Sequence, residues 1–105
     1  IKIVVTDHGG LTSNVGVYAQ AAGLTPGQVY FAGFDMSPNT AQAVKEGFQN
    51  LVIDQQPFLQ AYLPVVVLTN YDRYGVLPGN NINSGPGFVT ADALAKVEEF
   101  AGEYR

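Results

Sequence analysis

Val29-Tyr30-Phe31-Ala32-Gly33-Phe34-Asp35-Met36-Ser37-Pro38 decides the fold. The run from Val29 to Phe34 is apolar almost throughout, as a strand in the middle of a parallel sheet is. Asp35 stands at its carboxyl end. Ser37 directly before Pro38 is a helix cap followed by proline at the first helical position. A strand that runs through a short polar turn into a helix is half of a β-α-β unit, which commits the chain to a parallel sheet.

The same alternation continues on both sides. Upstream, Ile1 to Val5 is short and β-branched and reads as a buried strand, followed by the loop Asp7-His8-Gly9-Gly10. Thr12 or Ser13 is expected to cap the next helix, which runs through Val17, Tyr18 and Ala22, with Gly23 just past its end. Downstream, the helix after Pro38 stops at Gly47. Leu51 to Ile53 forms a third strand ending in Asp54-Gln55-Gln56. Pro57 opens a long helix to about Tyr74, closed by Gly75. In it Phe58, Leu59, Tyr62, Leu63, Val66, Val67 and Tyr71 make an apolar stripe, which Pro64 interrupts. A loop rich in Gly, Pro and Asn covers 78–87. Phe88-Val89 reads as a short extended piece, and Thr90 as the cap of a final helix that places Leu94, Val97, Phe100 and Tyr104 on one face. The fold class is α/β, a parallel sheet with flanking helices. So many helices for so small a sheet suggests neighbouring strands in sequence not present here.

The 105 residues are 47% apolar and 13% charged, which describes one folded domain with a modest core. A net charge of −4 with 5 basic residues provides no basic stripe, arguing against nucleic acid and against docking on an anionic membrane. The absence of cysteine removes disulfides, thiolate metal sites and cysteine nucleophiles together. The chain begins at Ile1 without a signal-peptide pattern, as a mature or trimmed chain does. No apolar run reaches the length of a membrane span.

In an open parallel sheet, ligands bind outside the carboxyl ends of the strands. Asp7-His8, Asp35 and Gln55 occupy those ends. Carboxylate and amide side chains suit a polyhydroxylated ligand, since the one accepts hydroxyl hydrogen bonds and the other both donates and accepts. Each residue also has a plainer use. Asp35 serves equally as a loop acid beside the following helix, and Gln55 before Gln-Pro as a turn residue. Asp7 and His8, adjacent at a strand end, should point apart and make a poor catalytic pair; a lone histidine is more often a hydrogen-bonded structural residue. Phe34 and Phe88 could wall a sugar ring, with core packing the better reading, and Phe58, Tyr62 and Tyr71 read as packing residues.

Enzyme templates fail in turn. There is no G-x-S-x-G elbow, no phosphate loop, and Gly85-Pro86-Gly87 lacks the third glycine of a dinucleotide fingerprint. One histidine and scattered carboxylates match no metal spacing. Glu98 and Glu99 read as solvated, and Asp92 as compensation of a helix dipole. Neither a catalytic residue nor a cofactor is expected.

The segment from Val29 to Pro38 resembles the GFD-x-SP segment of substrate-binding proteins of sugar ABC transporters, in the ribose-binding-like branch of the type I periplasmic binding fold. Ile53-Asp54-Gln55-Gln56-Pro57-Phe58-Leu59-Gln60-Ala61-Tyr62 is similar to that family's IDQQPYLQGY segment, and Asn81 to Val89 to its NINTGPGFV segment. Order and spacing fit as well. The resemblance implies a partial flavodoxin-like lobe of a two-lobed protein that closes on a sugar or polyol. It implies residues 1–56 as part of the C-terminal lobe, 57–79 as a hinge-crossing helix packing on the other lobe, and 80–105 as return crossing and terminal helix. It carries ligand contact over to Asp35 and Gln55, and more weakly to Asp7 and His8. A complete member is longer, so the resemblance implies a C-terminal fragment with an incomplete cleft, from a secreted parent in the periplasm or outside the cell that serves an ABC transporter permease. The uncovered stripe of the 57–74 helix would then invite a homodimer. Two other readings share the fold: the effector core of a transcription regulator, and a self-standing flavodoxin-like domain.

Overall fold

Strand pairing follows chain order. In the computed structural model, which describes residues 1–104, β1 (Ile3–Val5), β2 (Tyr30–Phe34) and β3 (Leu51–Asp54) lie side by side and parallel, and β4 (Gly87–Val89) closes the sheet antiparallel to β3. Five α-helices follow: α1 (Gly9–Thr12), α2 (Val15–Ala21), α3 (Pro38–Lys45), α4 (Pro57–Tyr74) and α5 (Ala91–Leu94), with a 3-10 turn over Glu98–Phe100. Arg105 lies outside the described residues.

Local chemistry sets the helix ends. Ser37 takes extended backbone and its hydroxyl accepts from the Thr40 N–H at 3.1 Å, with Pro38 next, as the sequence predicts. Gly23 and Gly47 take positive φ just past α2 and α3. At each, the glycine N–H and the N–H after it turn back onto the last helical carbonyls (Gly23 to Gln20, Leu24 to Ala19; Gly47 to Val44, Phe48 to Ala43), which is the Schellman closure. Leu24 and Phe48 are thereby carried into the core beside Ala19.

Side chains alternate across each strand, and only one parity is buried. Phe31, Gly33, Val52, Asp54 and Val89 face the helices and are buried. Val15, Ala19, Val29, Phe31 and Phe48 form one core cluster; Met36, Ala41, Val44, Val52, Val89, Leu94 and Val97 form the other. The opposite face carries Ile3, Val5, Tyr30, Ala32, Phe34, Leu51, Ile53 and Phe88, and there Ile3 and Val5 are 63% and 64% exposed. The expectation that the first strand is buried therefore fails. Helices cover one face only, and β1 is an edge. Phe34 and Phe88 are likewise outside the core, on the uncovered face next to Ile53.

Three further expectations need correction. The helix through Val17 and Tyr18 is α2, whose cap position is Asn14 without a side-chain cap bond, in place of Thr12 or Ser13, because a separate short helix, α1, takes up Gly9–Thr12 before it. The terminal helix is one short turn followed by a 3-10 turn; Thr90 makes no side-chain cap bond there. Leu94 and Val97 still reach the core, whereas Phe100 and Tyr104 stack edge-on with each other and Tyr104 meets Phe58. Glu98 is not simply solvated, since it pairs with Lys45 and fastens this segment to α3.

α4 continues through Pro64 and ends at Gly75 in the left-handed region. None of its residues is buried. Leu59, Leu63, Val66 and Val67 are half-covered, in part by the return segment that passes Leu77 and Ile82. Phe58, Tyr62 and Tyr71 of the expected packing stripe are exposed, and so are Val65 and Leu68 on the other side. The molecule measures 59 × 26 × 22 Å with a radius of gyration of 16.8 Å, against about 13 Å for a compact domain of this length. No helix among the described residues is long and apolar enough to cross a membrane.

One backbone approach holds α1 to the sheet. A Cβ at Gly33 would collide with the hydroxyls of Thr6 and Thr12. Those hydroxyls bond each other at 2.7 Å, and Thr12 Oγ1 also donates to the His8 carbonyl and accepts from the Phe34 N–H. Gly33→Ala should therefore destabilise the fold by about 1–3 kcal/mol, the usual cost of forcing atoms into a filled site. Urea unfolding measures it, and a change under about 0.5 kcal/mol would mean that the threonine pair yields freely.

Candidate functional site

Three parallel strands deliver their carboxyl ends to one edge of the sheet. The ladder runs one residue beyond β1 and β2, with Thr6 N–H bonding Ala32 O at 2.9 Å and Asp35 N–H bonding Ile53 O at 3.0 Å. Asp7, Asp35 and Gln55 therefore leave rigid backbone at the same edge.

Asp35 and Gln55 are brought together. Gln55 Nε2 donates to Asp35 Oδ1 at 3.1 Å. Asp35 has φ of 68°, the left-handed region that costs a non-glycine residue energy. The loop after β1 meets Asp35 through Gly9, whose position lies against the carboxylate. The pair offers mostly acceptors: both carboxylate oxygens, the Gln55 Oε1, and one remaining Nε2 proton. That set matches ligand hydroxyls that donate.

Asp7 and His8 do not point apart as adjacent strand residues would. The chain has left the strand at Thr6, and the bend lets His8 Nδ1 reach Asp7 Oδ1 at 2.7 Å, both side chains being well exposed. His8 supplies the hydrogen bond that holds the Asp7 carboxyl below the usual carboxylate range, with a smaller charge attraction assisting. Because the folded carboxyl titrates below its unfolded value, its contribution is present above the ordinary carboxylate range and lost as pH falls through the lowered midpoint. The two residues thus spend their side chains on each other at the rim of the edge.

A cavity of about 410 Å³ adjoins Gln55, lined by Phe34, Ile53, Gln60, Ile82, Asn83 and Ser84 among others. It lies where the uncovered sheet face meets α4 and the segment leading into β4. Gln60 Nε2 and Ser84 Oγ both donate to the Gln55 carbonyl, at 2.9 and 3.0 Å. Gln56 is also left-handed, with φ of 57°, and its N–H bonds the buried Asp54 carboxylate at 2.9 Å. Gln60, Ser84 and Gly9 were not singled out from the sequence. The segment from Asn81 to Val89 signalled a crossing, but nothing in it marked Ser84 as the tie to Gln55. Among the described residues no cluster of His, Asp or Glu could hold a metal ion.

Comparison with known proteins gives consistent results. No family model matches the chain. It is 33% identical over 95 residues to the xylose/arabinose-binding protein of Sulfolobus acidocaldarius, a match covering 86% of this chain and 24% of that protein. A carbohydrate transporter of Acidothermus cellulolyticus, solved in complex with myo-inositol, superposes with a TM-score of 0.81 at 27% identity, covering 96% of this chain and 35% of the other. A protein assigned to the LacI transcriptional regulators, from Bacteroides fragilis, superposes with a TM-score of 0.76 at 19% identity over 91% of this chain and 32% of that one, which shows the fold alone. The chain thus spans about a quarter of the curated relative and about a third of the solved structures.

Two expectations can be measured at this site. Asp35→Gly should raise stability by about 1 kcal/mol, since glycine takes the left-handed backbone without strain; a loss of stability would show Asp35 to be structural. In a carbon-detected NMR titration the Asp7 carboxyl should have its midpoint below 3.8 and return to about 3.8 in His8→Ala; no change on removing the imidazole would deny the pairing in solution. With the motifs of the three segments, the parallel edge and these likenesses, the chain has the α/β fold of part of a type I periplasmic binding protein and is similar over most of its length to a segment of sugar-binding proteins.

Proposed function

We propose that this chain supplies one wall of a cleft that binds a neutral sugar or polyol, with Asp35 and Gln55 as the ligand contacts and Asp7 and His8 at the rim. The observation that carries it is the Gln55–Asp35 hydrogen bond at the carboxyl edge of the sheet, which leaves an acceptor-rich pair with Asp35 on left-handed backbone. Neither Lys nor Arg stands in the segments that form this edge, and the net charge is −4, so a phosphorylated or carboxylated sugar finds no counter-charge here. Binding, not catalysis, is the chemistry such a pair supports. Burying the ligand against it discriminates strongly, because a missing hydroxyl leaves a protein acceptor unpaired.

The whole assembly is a two-lobed protein in which residues 1–56 belong to one lobe and α4 packs on the other. Support comes from α4 itself, apolar around most of its circumference from Phe58 to Leu68 and nowhere buried, which is the composition of a helix enclosed by protein. In that reading the cleft is completed by sequence beyond these residues, and the protein works in the periplasm or outside the cell, delivering its ligand to an ABC transporter permease. The chain in isolation leaves α4 open to a second copy, so its sedimentation should shift with concentration and Val65→Asp should suppress the shift.

The direct test is calorimetric titration of the two-lobed protein carrying this chain with pentoses, hexoses, inositols, a sugar phosphate and a sugar acid. Neutral ligands should bind, and Asp35→Ala should weaken the best of them about ten- to hundred-fold, as for one lost hydrogen bond to a charged group. Binding that survives Asp35→Ala unchanged, or that favours the anionic ligands, would sink the assignment.

A further inference from the structure

We infer that Gly9 is a positioning residue for the Asp35 carboxylate, an inference that rests on Asp35 being the ligand contact proposed above. An ideal Cβ at Gly9 would stand 3.1 Å from Asp35 Cβ and 3.1 Å from Asp35 Oδ2. Both are tighter than ordinary van der Waals contact, so one side must give by a few tenths of an ångström. Asp35 has little room to give way. Its backbone is pinned by the Ile53 carbonyl at 3.0 Å and by its left-handed φ of 68°, and its Oδ1 is held by Gln55 at 3.1 Å. The carboxylate is therefore held by an amide on Oδ1, and its Oδ2 faces the place that a side chain at position 9 would fill. A methyl group at position 9 makes the Asp35 side chain give by a few tenths of an ångström, and with the backbone pinned that movement carries Oδ1 off the position at which Gln55 holds it.

Nothing else asks for glycine at position 9. It is not among the residues with positive φ. It opens a helix, where alanine is the better residue by propensity and loses less freedom on folding. A glycine kept only for backbone reasons would be replaced by alanine without consequence for Asp35. The close approach instead ties the loop after β1 to the ligand contact after β2, so this loop enters ligand binding through its backbone, whatever Asp7 and His8 do at the rim.

The test compares this chain as wild type, Gly9→Ala, Asp35→Gly and the double variant. NMR reads the Gln55 side-chain amide and its cross-peaks to the Asp35 β-protons, thermal unfolding reads the fold, and titration of the two-lobed protein carrying each substitution reads affinity for the neutral polyol that binds it. Gly9→Ala should lose the Gln55–Asp35 cross-peaks while melting at the same temperature or higher, and should weaken ligand by at least about tenfold, as for loss of one charged hydrogen bond. In the Asp35→Gly background the same substitution should leave the Gln55 signals where they were. Cross-peaks that persist in Gly9→Ala overturn the inference. If Gly9→Ala alone does not fold, restoration of folding in the double variant supports the clash, and failure of both overturns it. A wild-type protein that binds no polyol would remove the proposed function, while the NMR comparison would still decide whether Gly9 sets Asp35.

Discussion

The hydroxyl of Thr12 stands at a junction that the rest of the site depends on. It is fully buried, it meets the Thr6 hydroxyl at 2.7 Å, it donates to the His8 carbonyl, and it accepts the Phe34 N–H at 3.0 Å. These bonds join the end of β1, the first turn of α1 and the end of β2. Glycine at position 33 is what lets them meet, because any side chain there would occupy the place of both hydroxyls. The consequence is positional. With α1 clamped to the end of β2, Gly9 is driven against Asp35, and the loop that follows β1 cannot drift from the carboxylate. A buried network of this kind specifies geometry only while every member is satisfied, and here the Phe34 N–H has a side-chain partner where the sheet offers it none.

A second constraint shapes the rest of the molecule. Parallel sheets bury both faces because helices flank them on each side. Here α2, α3 and α5 line one side, and Ile3, Val5, Tyr30 and Phe88 remain open on the other. The extended form of the molecule and the unburied α4 have the same origin. Apolar surface on the far sheet face and around α4 is left open by the described residues. This is consistent with a chain matching only about a third of the solved structures that share its fold.

How much of this the sequence shows depends on the range of the interactions involved. Ser37-Pro38, Gly23, Gly47 and Gly75 signal helix ends by local chemistry, and all four are where the sequence places them. Strand positions are also legible, because apolar runs bounded by turns are a local pattern. Burial is not, since it depends on what lies across the sheet. The sequence of Ile1 to Val5 is that of an enclosed strand, and the structure leaves it at an edge. Asp35 and Gln55 are legible as strand ends, but their mutual hydrogen bond depends on the register that sets Phe34 beside Ile53. The pairing of Asp7 with His8 turns on one bend after Thr6, and the alternation rule for strands fails as soon as the strand has ended.

Gln55 joins the two halves of the picture. Its side chain holds Asp35, while its carbonyl accepts from Gln60 on α4 and from Ser84 on the return segment. The Asp35 pair, α4 and the segment leading into β4 therefore meet in one residue, next to a left-handed Gln56 whose N–H is fixed by the buried Asp54. Strain of this sort persists only where neighbours over-determine it. With its carbonyl held from two directions and its side chain on Asp35, the peptide after β3 is tied to α4, to the segment leading into β4 and to the end of β2 at once, so the orientation of the amide is set by long-range contacts that no local sequence pattern encodes.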